Sequence, residues 1–267
     1  MEKTMRLRAQ HALARTAVAL GLSIAMSSST LVAEVSAYGR LPTYEDVTLS
    51  PDGTRIAFVT TVGEQRSVVI QSFTSPQDGH RIAAGDQKLR AVMWAGNDRI
   101  LMIADDRISA EGYRGTFDMS TVHGYDLVKR RTEAPLQWIA GSQNAAVGFP
   151  IIRGSSAKPI VYLPGSSIGG KDPIMLYGID FERHGGRVVH SSPTPFASWL
   201  VDADGVIVGE SNYEQSKQTW SVRLKLGERW TQVQSETVSL DWPQILGFAP
   251  EDGWAIVRRM PGDNASL

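Results

Sequence analysis

The chain has 267 residues, 42% of them hydrophobic and 21% charged, which supports a packed core and excludes global disorder. Its formal net charge of −1 leaves no basic excess to hold nucleic acid or an anionic membrane surface, so nucleic acid is not an expected partner. Cysteine is absent, which excludes disulfides and a lipid-anchored lipoprotein, while Trp and Tyr (seven each) with 25 Gly favour a β-rich chain.

At the N-terminus, Lys3, Arg6, Arg8 and Arg15 form a basic region. Residues 16–33 carry no charge, and "AVALGLSIAM" is apolar. Val35-Ser36-Ala37 then offers small residues before a cleavage point. This predicts a signal peptide over 1–37 and an exported protein, periplasmic or secreted, that starts near Tyr38 and keeps no membrane contact after cleavage. Retention as a membrane anchor is the alternative, although the apolar core is short for a span.

Beyond Tyr38 the sequence shows little helical periodicity. Short apolar runs recur instead: "IAFV" at Ile56, "ILMI" at Ile100, "IVYL" at Ile160, "VIVG" at Val206 and "WAIV" at Trp254, in steps of 44, 60, 46 and 48 residues. A period in the forties is that of four-stranded propeller blades. Each run follows a candidate first strand: "EDVTLS" from Glu45, "LRAVMWA" from Leu89, "NAAVGFPII" from Asn144, "FASWLVD" from Phe196 and "QILGFAP" from Gln244. Pro51-Asp52-Gly53, Gly96-Asn97-Asp98, Asp202-Ala203-Asp204-Gly205 and Glu251-Asp252-Gly253 supply hairpin turns between first and second strands. Third strands are expected at "SVVIQSF" from Ser67, "TVHGYDL" from Thr121, "IMLYGIDF" from Ile174 and "TWSVRLKL" from Thr219. Weaker fourth strands follow at "HRIAA" from His80, "KRRTEA" from Lys129, "GRVVHS" from Gly186 and "RWTQVQ" from Arg229, as outer, partly solvated strands should be. The fold expected over 38–267 is all-β: an incomplete β-propeller of about four and a half four-stranded antiparallel blades. A fifth unit of two strands would leave an open edge, so the chain reads as part of a longer protein or a truncated product.

Three stretches carry a family resemblance: "YGRLPTYEDVTLSPDGTRIAFV" from Tyr38, "GDQKLRAVMWAGNDRILMI" from Gly85 and "MLYGIDFERHGGRVVH" from Met175. Together they resemble the N-terminal propeller of exported bacterial S9 serine peptidases, the prolyl oligopeptidase and acylaminoacyl-peptidase group. The "LSPDGTRIAFV" element is shared with TolB-like propellers. The resemblance implies a propeller that admits and positions peptides for an α/β-hydrolase domain bearing a Ser-Asp-His triad. It further implies that this hydrolase, with more blades before it, is encoded beyond Leu267. No family catalytic residue maps onto the chain, and peptides are its implied partners through the parent enzyme.

Gly165, Ser166, Ser167, Ile168 and Gly169 spell the G-x-S-x-G of a nucleophile elbow, which needs a strand, a strained turn and a helix. Gly169, Gly170 and Pro173 oppose a helix after Ser167. Asp172, Asp180, His184 and His190 all fall within the next two dozen residues, too close in sequence for triad partners on separate later loops. Ser167 is therefore expected in a flexible loop between strands, and no catalytic residue is assigned. No metal or cofactor is expected: His80, His123, His184 and His190 lack helical ligand spacing, and Asp202-Ala203-Asp204-Gly205 lacks the later ligands of a calcium loop. Residues 105–115 read as a solvated insertion in blade two, with lining of an inner face as the other reading. Trp94, Trp199, Trp220 and Trp242 are expected to pack between blades, with a peptide-binding aromatic cluster as the alternative. The leading functional reading is a peptide-gating propeller. A non-enzymatic TolB-like binding module and a non-functional truncated product stay open.

Overall fold

The computed structural model describes residues 42–63, 65–85, 87–108, 115–167, 174–239, 242–248 and 254–257. The expected export signal lies outside these residues, as does the expected turn at 251–253. Blade one is an antiparallel meander of β1 (Tyr44–Leu49), β2 (Arg55–Val62), β3 (Gln65–Ser72) and β4 (His80–Gly85). Blade two repeats it with β5 (Lys88–Trp94), β6 (Arg99–Ile108), β7 (Phe117–Asp126) and β8 (Arg131–Glu133). Blade three holds β9 (Ser142–Ala146), β10 (Ile151–Gly154), β11 (Pro159–Ser167), β12 (Ile174–Asp180) and β13 (Gly185–Ser192). Blade four comprises β14 (Ala197–Val201), β15 (Ile207–Glu214), β16 (Thr219–Leu226) and β17 (Arg229–Thr237). A pair, β18 (Gln244–Phe248) and β19 (Trp254–Val257), begins a fifth unit. This is the all-β partial propeller expected from the repeat.

The turn chemistry explains why each meander starts where it does. In blade one, the Asp52 carboxylate accepts hydrogen bonds from the Ser50 hydroxyl (2.6 Å), the Thr54 amide (3.0 Å) and the Thr54 hydroxyl (2.9 Å). These bonds, led by that from Ser50, hold its pKa down at about 2. Asp202 does the same in blade four, accepting from the amides of Asp204 (3.0 Å) and Val206 (2.8 Å). The turn ends at Gly205, whose φ of +84° suits glycine, and a Cβ there would lie 2.7 Å from Ile160 of blade three. The Asp202 motif is thus a hairpin turn braced against its neighbour.

Alternation places the core between blades. On β6, Ile100, Met102 and Ala104 face blade one, packing with Ala57, Val59, Val68 and Ile70. The intervening Leu101 and Ile103 face blade three, packing with Val161, Leu163 and Tyr177. A strand buried on both faces reads as a continuous apolar run, which is why "ILMI" stands out in the sequence. Trp199 closes the blade three–four interface on Ile174 and Leu176, and Trp220 lies with Tyr213 and Val222 toward the fifth unit. Trp94 sits between blades one and two and donates to the Thr48 carbonyl (3.3 Å). The inter-blade expectation holds for all three.

Two segments depart from expectation. "NAAVGFPII" is not one strand. β9 pairs with the end of β11 (Gly165 opposite Ala146), β10 pairs with its start (Ile151 opposite Tyr162), and residues 147–150 break the inner position in two. Pro150 cannot donate to a ladder, so a break here follows from its chemistry. Fourth strand β8 begins at Arg131 rather than Lys129, because Arg130 occupies φ +53° in the preceding turn. A 3-10 helix, Pro135–Trp138, then buries Leu136 between blades two and three.

Candidate functional site

The broken inner strand opens a cleft of about 760 Å³ between the inner strands β10, β14 and β18. Its walls are aromatic: Phe149 in the break is 62% exposed, Phe196 just before β14 is 38% exposed, and Trp242 precedes β18. Trp242 is held in place by stacking on Tyr213 (centroids 4.3 Å apart, 13° between planes), with Phe196 at 5.1 Å. Tyr213 is itself fixed, donating to the Val238 carbonyl at 3.0 Å. The polar groups are few: Ser198 and Ser211 bond each other at 2.8 Å across β14 and β15, and Arg153 enters from β10. An apolar, aromatic cleft with few polar groups is the usual form of a binding site. Trp242 therefore serves both readings raised for it, inter-blade packing and a cleft wall.

Two buried ionic clusters lie elsewhere. At the outer edge of blades two and three, Arg99 pairs with Asp126 (2.9 Å) and Glu133 (3.5 Å) and lies over the Phe181 ring (4.1 Å). Burial raises the Asp126 pKa, but the Lys129 amide and the Arg99 guanidinium outweigh it, and the net shift is downward. His184 joins this cluster: its Nε2 lies 2.5 Å from Arg131 and 3.4 Å from Glu133, and its ring tilts on Trp138. Between blades three and four, fully buried Glu210 accepts from Arg223 Nε (2.9 Å) and Asn212 (2.7 Å). His190 Nε2 stands 3.5 Å from the other Glu210 oxygen. His190 Nδ1 lies within 3.3 Å of the Trp199 indole N–H and 3.0 Å of the Ser191 carbonyl. His190 Nδ1 thus meets Trp199 of blade four, and Nε2 stands near Glu210, so His190 and Glu210 lie across the boundary of blades three and four.

The first three residues of the motif, Gly165, Ser166 and Ser167, fall in β11, not in a loop as expected. Ser167 pairs with Ser142 of β9, past a bulge that shifts the register after Gly165. Gly165 is there for packing, since a Cβ would meet the Ala145 carbonyl at 3.0 Å and Leu136 and Tyr177 at 3.3 Å. Residues 168–173, including Asp172, lie outside the described residues, and the chain resumes at Ile174 as strand β12. Asp180 ends that strand and accepts from the amides of Glu182 (3.1 Å) and Arg183 (3.0 Å) in the hairpin. Of the expected insertion, residues 109–114 lie outside the described residues, Asp106 and Arg107 are exposed as expected, and Asp105 is not. β6 extends to Ile108, and Asp105 is buried within it, bonded to Arg90 of β5 and to Ser120 (2.6 Å). Those two bonds, Arg90 first, lower its pKa. His80 contacts the Tyr125 hydroxyl (3.2 Å) and His123 the Thr121 hydroxyl (3.0 Å). Burial lowers both imidazole pKa values. No group of three His, Cys, Asp or Glu among the described residues could hold a metal ion.

The cleft was missed in sequence because its walls come from residues far apart in the chain. Its one local signal was Gly148-Phe149-Pro150, a turn-forming triplet inside a strand pattern.

No family model matches the chain, and no curated protein matches it in sequence. Among solved structures it is similar to acylaminoacyl peptidase from Pyrococcus horikoshii, with 12% identity and a TM-score of 0.44 over 72% of this chain and 32% of that one. It is similar to the β-propeller domain of the Trilobed protease from Pyrococcus furiosus, with 14% identity and a TM-score of 0.42 over 72% of this chain and 58% of that one. TolB from Acinetobacter baumannii gives 14% identity and a TM-score of 0.40, covering 78% of this chain and 47% of its own. The chain spans about a third of the acylaminoacyl peptidase structures and roughly half of the other two. Its structural neighbours include propellers of S9 peptidases and of the TolB type.

Proposed function

We propose that this propeller binds peptides, and that it does so as the substrate-positioning part of an exported S9-type serine peptidase. The observation that carries the reading is the aromatic cleft on the inner strands. Phe149, Phe196 and Trp242 offer apolar walls, and inner blade strands present unpaired backbone edges toward a passing chain. Hydrolysis would fall to a domain outside residues 1–267. Export to the periplasm belongs to the same proposal, and among the described residues no helix is long and apolar enough to cross a membrane.

Titration of the purified protein with extended apolar peptides, followed by Trp fluorescence, tests the binding. Saturable binding should weaken about tenfold in Phe149→Ala, in the range of an interface anchor. Equal binding by that variant would overturn the cleft as the site. A fluorophosphonate probe should leave Ser167 unlabelled; stoichiometric labelling lost in Ser167→Ala would reinstate it as a nucleophile. Mass spectrometry of protein from the native cell should find an N-terminus near Tyr38, and an intact Met1 would remove the export proposal. A TolB-like binding module is the second reading, in which the same aromatic cleft holds an apolar segment of a protein partner. Peptide hydrolysis by the full gene product separates the two.

A further inference from the structure

Among the described residues that line the cleft, Arg153 is the only one with an ionisable side chain. Its Nε donates to the Val201 carbonyl and its Nη1 to the Ile152 carbonyl, both at 2.8 Å. These bonds fix the guanidinium between β10 and β14 and leave Nη2 without a hydrogen bond among the described residues. That nitrogen is not among the buried atoms lacking a partner, so it is open to solvent.

The other half-buried arginines make the contrast. Arg55 pairs with Asp98, Arg66 with Glu45, Arg99 with Asp126 and Glu133, and Arg223 with Glu210. Arg153 alone has no carboxylate within ion-pair distance among the described residues. A partly desolvated charge without a counter-charge is costly, and a carboxylate meets that cost at each of the other half-buried arginines. Two backbone carbonyls orient the guanidinium but bring only partial negative charge. The remaining N–H donor, on a side chain that lines an apolar cleft, suits a carboxylate oxygen.

We infer that the cleft selects peptides that carry a carboxylate, which bonds Arg153 while a neighbouring apolar side chain lies among Phe149, Phe196 and Trp242. This rests on the peptide-binding reading above. A free C-terminus and an Asp or Glu side chain present the same chemistry, and the test below separates them.

Matched peptides of about six residues, long enough to lie as an extended strand, are titrated against the purified protein. One ends in a free carboxylate and one in an amide. Two further C-terminal amides carry an internal Asp or an internal Asn. The carboxylate-bearing member of at least one pair should bind about tenfold tighter, the gain of a charge-assisted bond. The pair that shows the gain identifies the source of the carboxylate. The gain should shrink in about 0.5 M salt, where screening acts within a few ångströms. Arg153→Gln should equalise the pair, with folding checked by thermal melting. If that variant does not fold, the salt response of the unaltered protein carries the test. Equal binding within both pairs overturns this inference and leaves the cleft intact, provided Phe149→Ala still weakens every peptide. A carboxylate preference that survives Arg153→Gln in the folded variant overturns it too. Absence of binding by all four peptides overturns the cleft reading, and this inference with it.

Discussion

Blades two and three meet from inner strand to outer edge, whereas blades three and four part at their inner strands. The first interface packs Ala91 of β5, Leu101 and Ile103 of β6, Val122 of β7 and Leu136 against Val161, Leu163 and Tyr177. The Arg99–Asp126–Glu133 cluster then closes its outer edge. The second interface is packed around Trp199, with Glu210 and His190 across its boundary, yet its inner side opens into a cleft. The same four-stranded repeat builds both. The difference is the interruption at 147–150, which removes two rungs of inner strand and turns Phe149 outward. Side chains that fill a blade interface stabilise it, and side chains released by a break become available for a ligand.

Mutations that break this contrast should differ most in stability. Leu163→Ala, at a fully buried position between blades two and three, should cost about 3–4 kcal/mol in chemical denaturation, the range for a core leucine. Phe149→Ala should leave stability within about 0.5 kcal/mol, since the ring is largely exposed, while it weakens peptide binding. A large stability loss at Phe149 would mean that the break is a packed element and not a cleft wall.

The ionic edge comes next. Arg99→Ala strips Asp126 and Glu133 of their shared cation and should cost about 3 kcal/mol, as breaking buried pairs does. A cost near zero would show that Lys129 and Arg131 suffice as partners. The same cluster sets an acid response. The pKa of Asp126 is lowered by folding, so its ionised form favours the folded state. That contribution is complete above about pH 4–5, the ordinary carboxylate range, and is lost as pH falls through the folded value. Asp126→Asn should therefore flatten the fall in melting temperature below about pH 4. An unchanged slope would assign the acid response to other carboxylates, among them Asp105 and the exposed Asp52.

The smallest effect is expected far from either interface. Lys217→Ala removes an exposed hairpin pair with Glu214 (3.0 Å) and should change stability by less than about 0.5 kcal/mol. A larger loss would show that the β15–β16 turn contributes to the blade four core.

Local chemistry alone determined the meander and its period. Alternation in "VVIQS" or "VRLKL", doubled burial in "ILMI" and the Asp-Gly turns each act within one or two strands, so a linear pattern records them. Gly165 was visible too, but its reason was not. The residue pattern matches a nucleophile elbow, and only the approach of Ala145, Leu136 and Tyr177 shows that a side chain at 165 would collide. Asp105 read as part of a polar insertion because its partner Arg90 lies on a different strand, fifteen positions earlier. Glu133, Glu210 and Arg153 carried no signal, since a charged residue in a strand looks alike whether its partner is present, distant or missing. Tertiary structure decided those cases, because desolvation and pairing depend on what surrounds a charge in space, and the cleft exists only where residues from three inner strands converge.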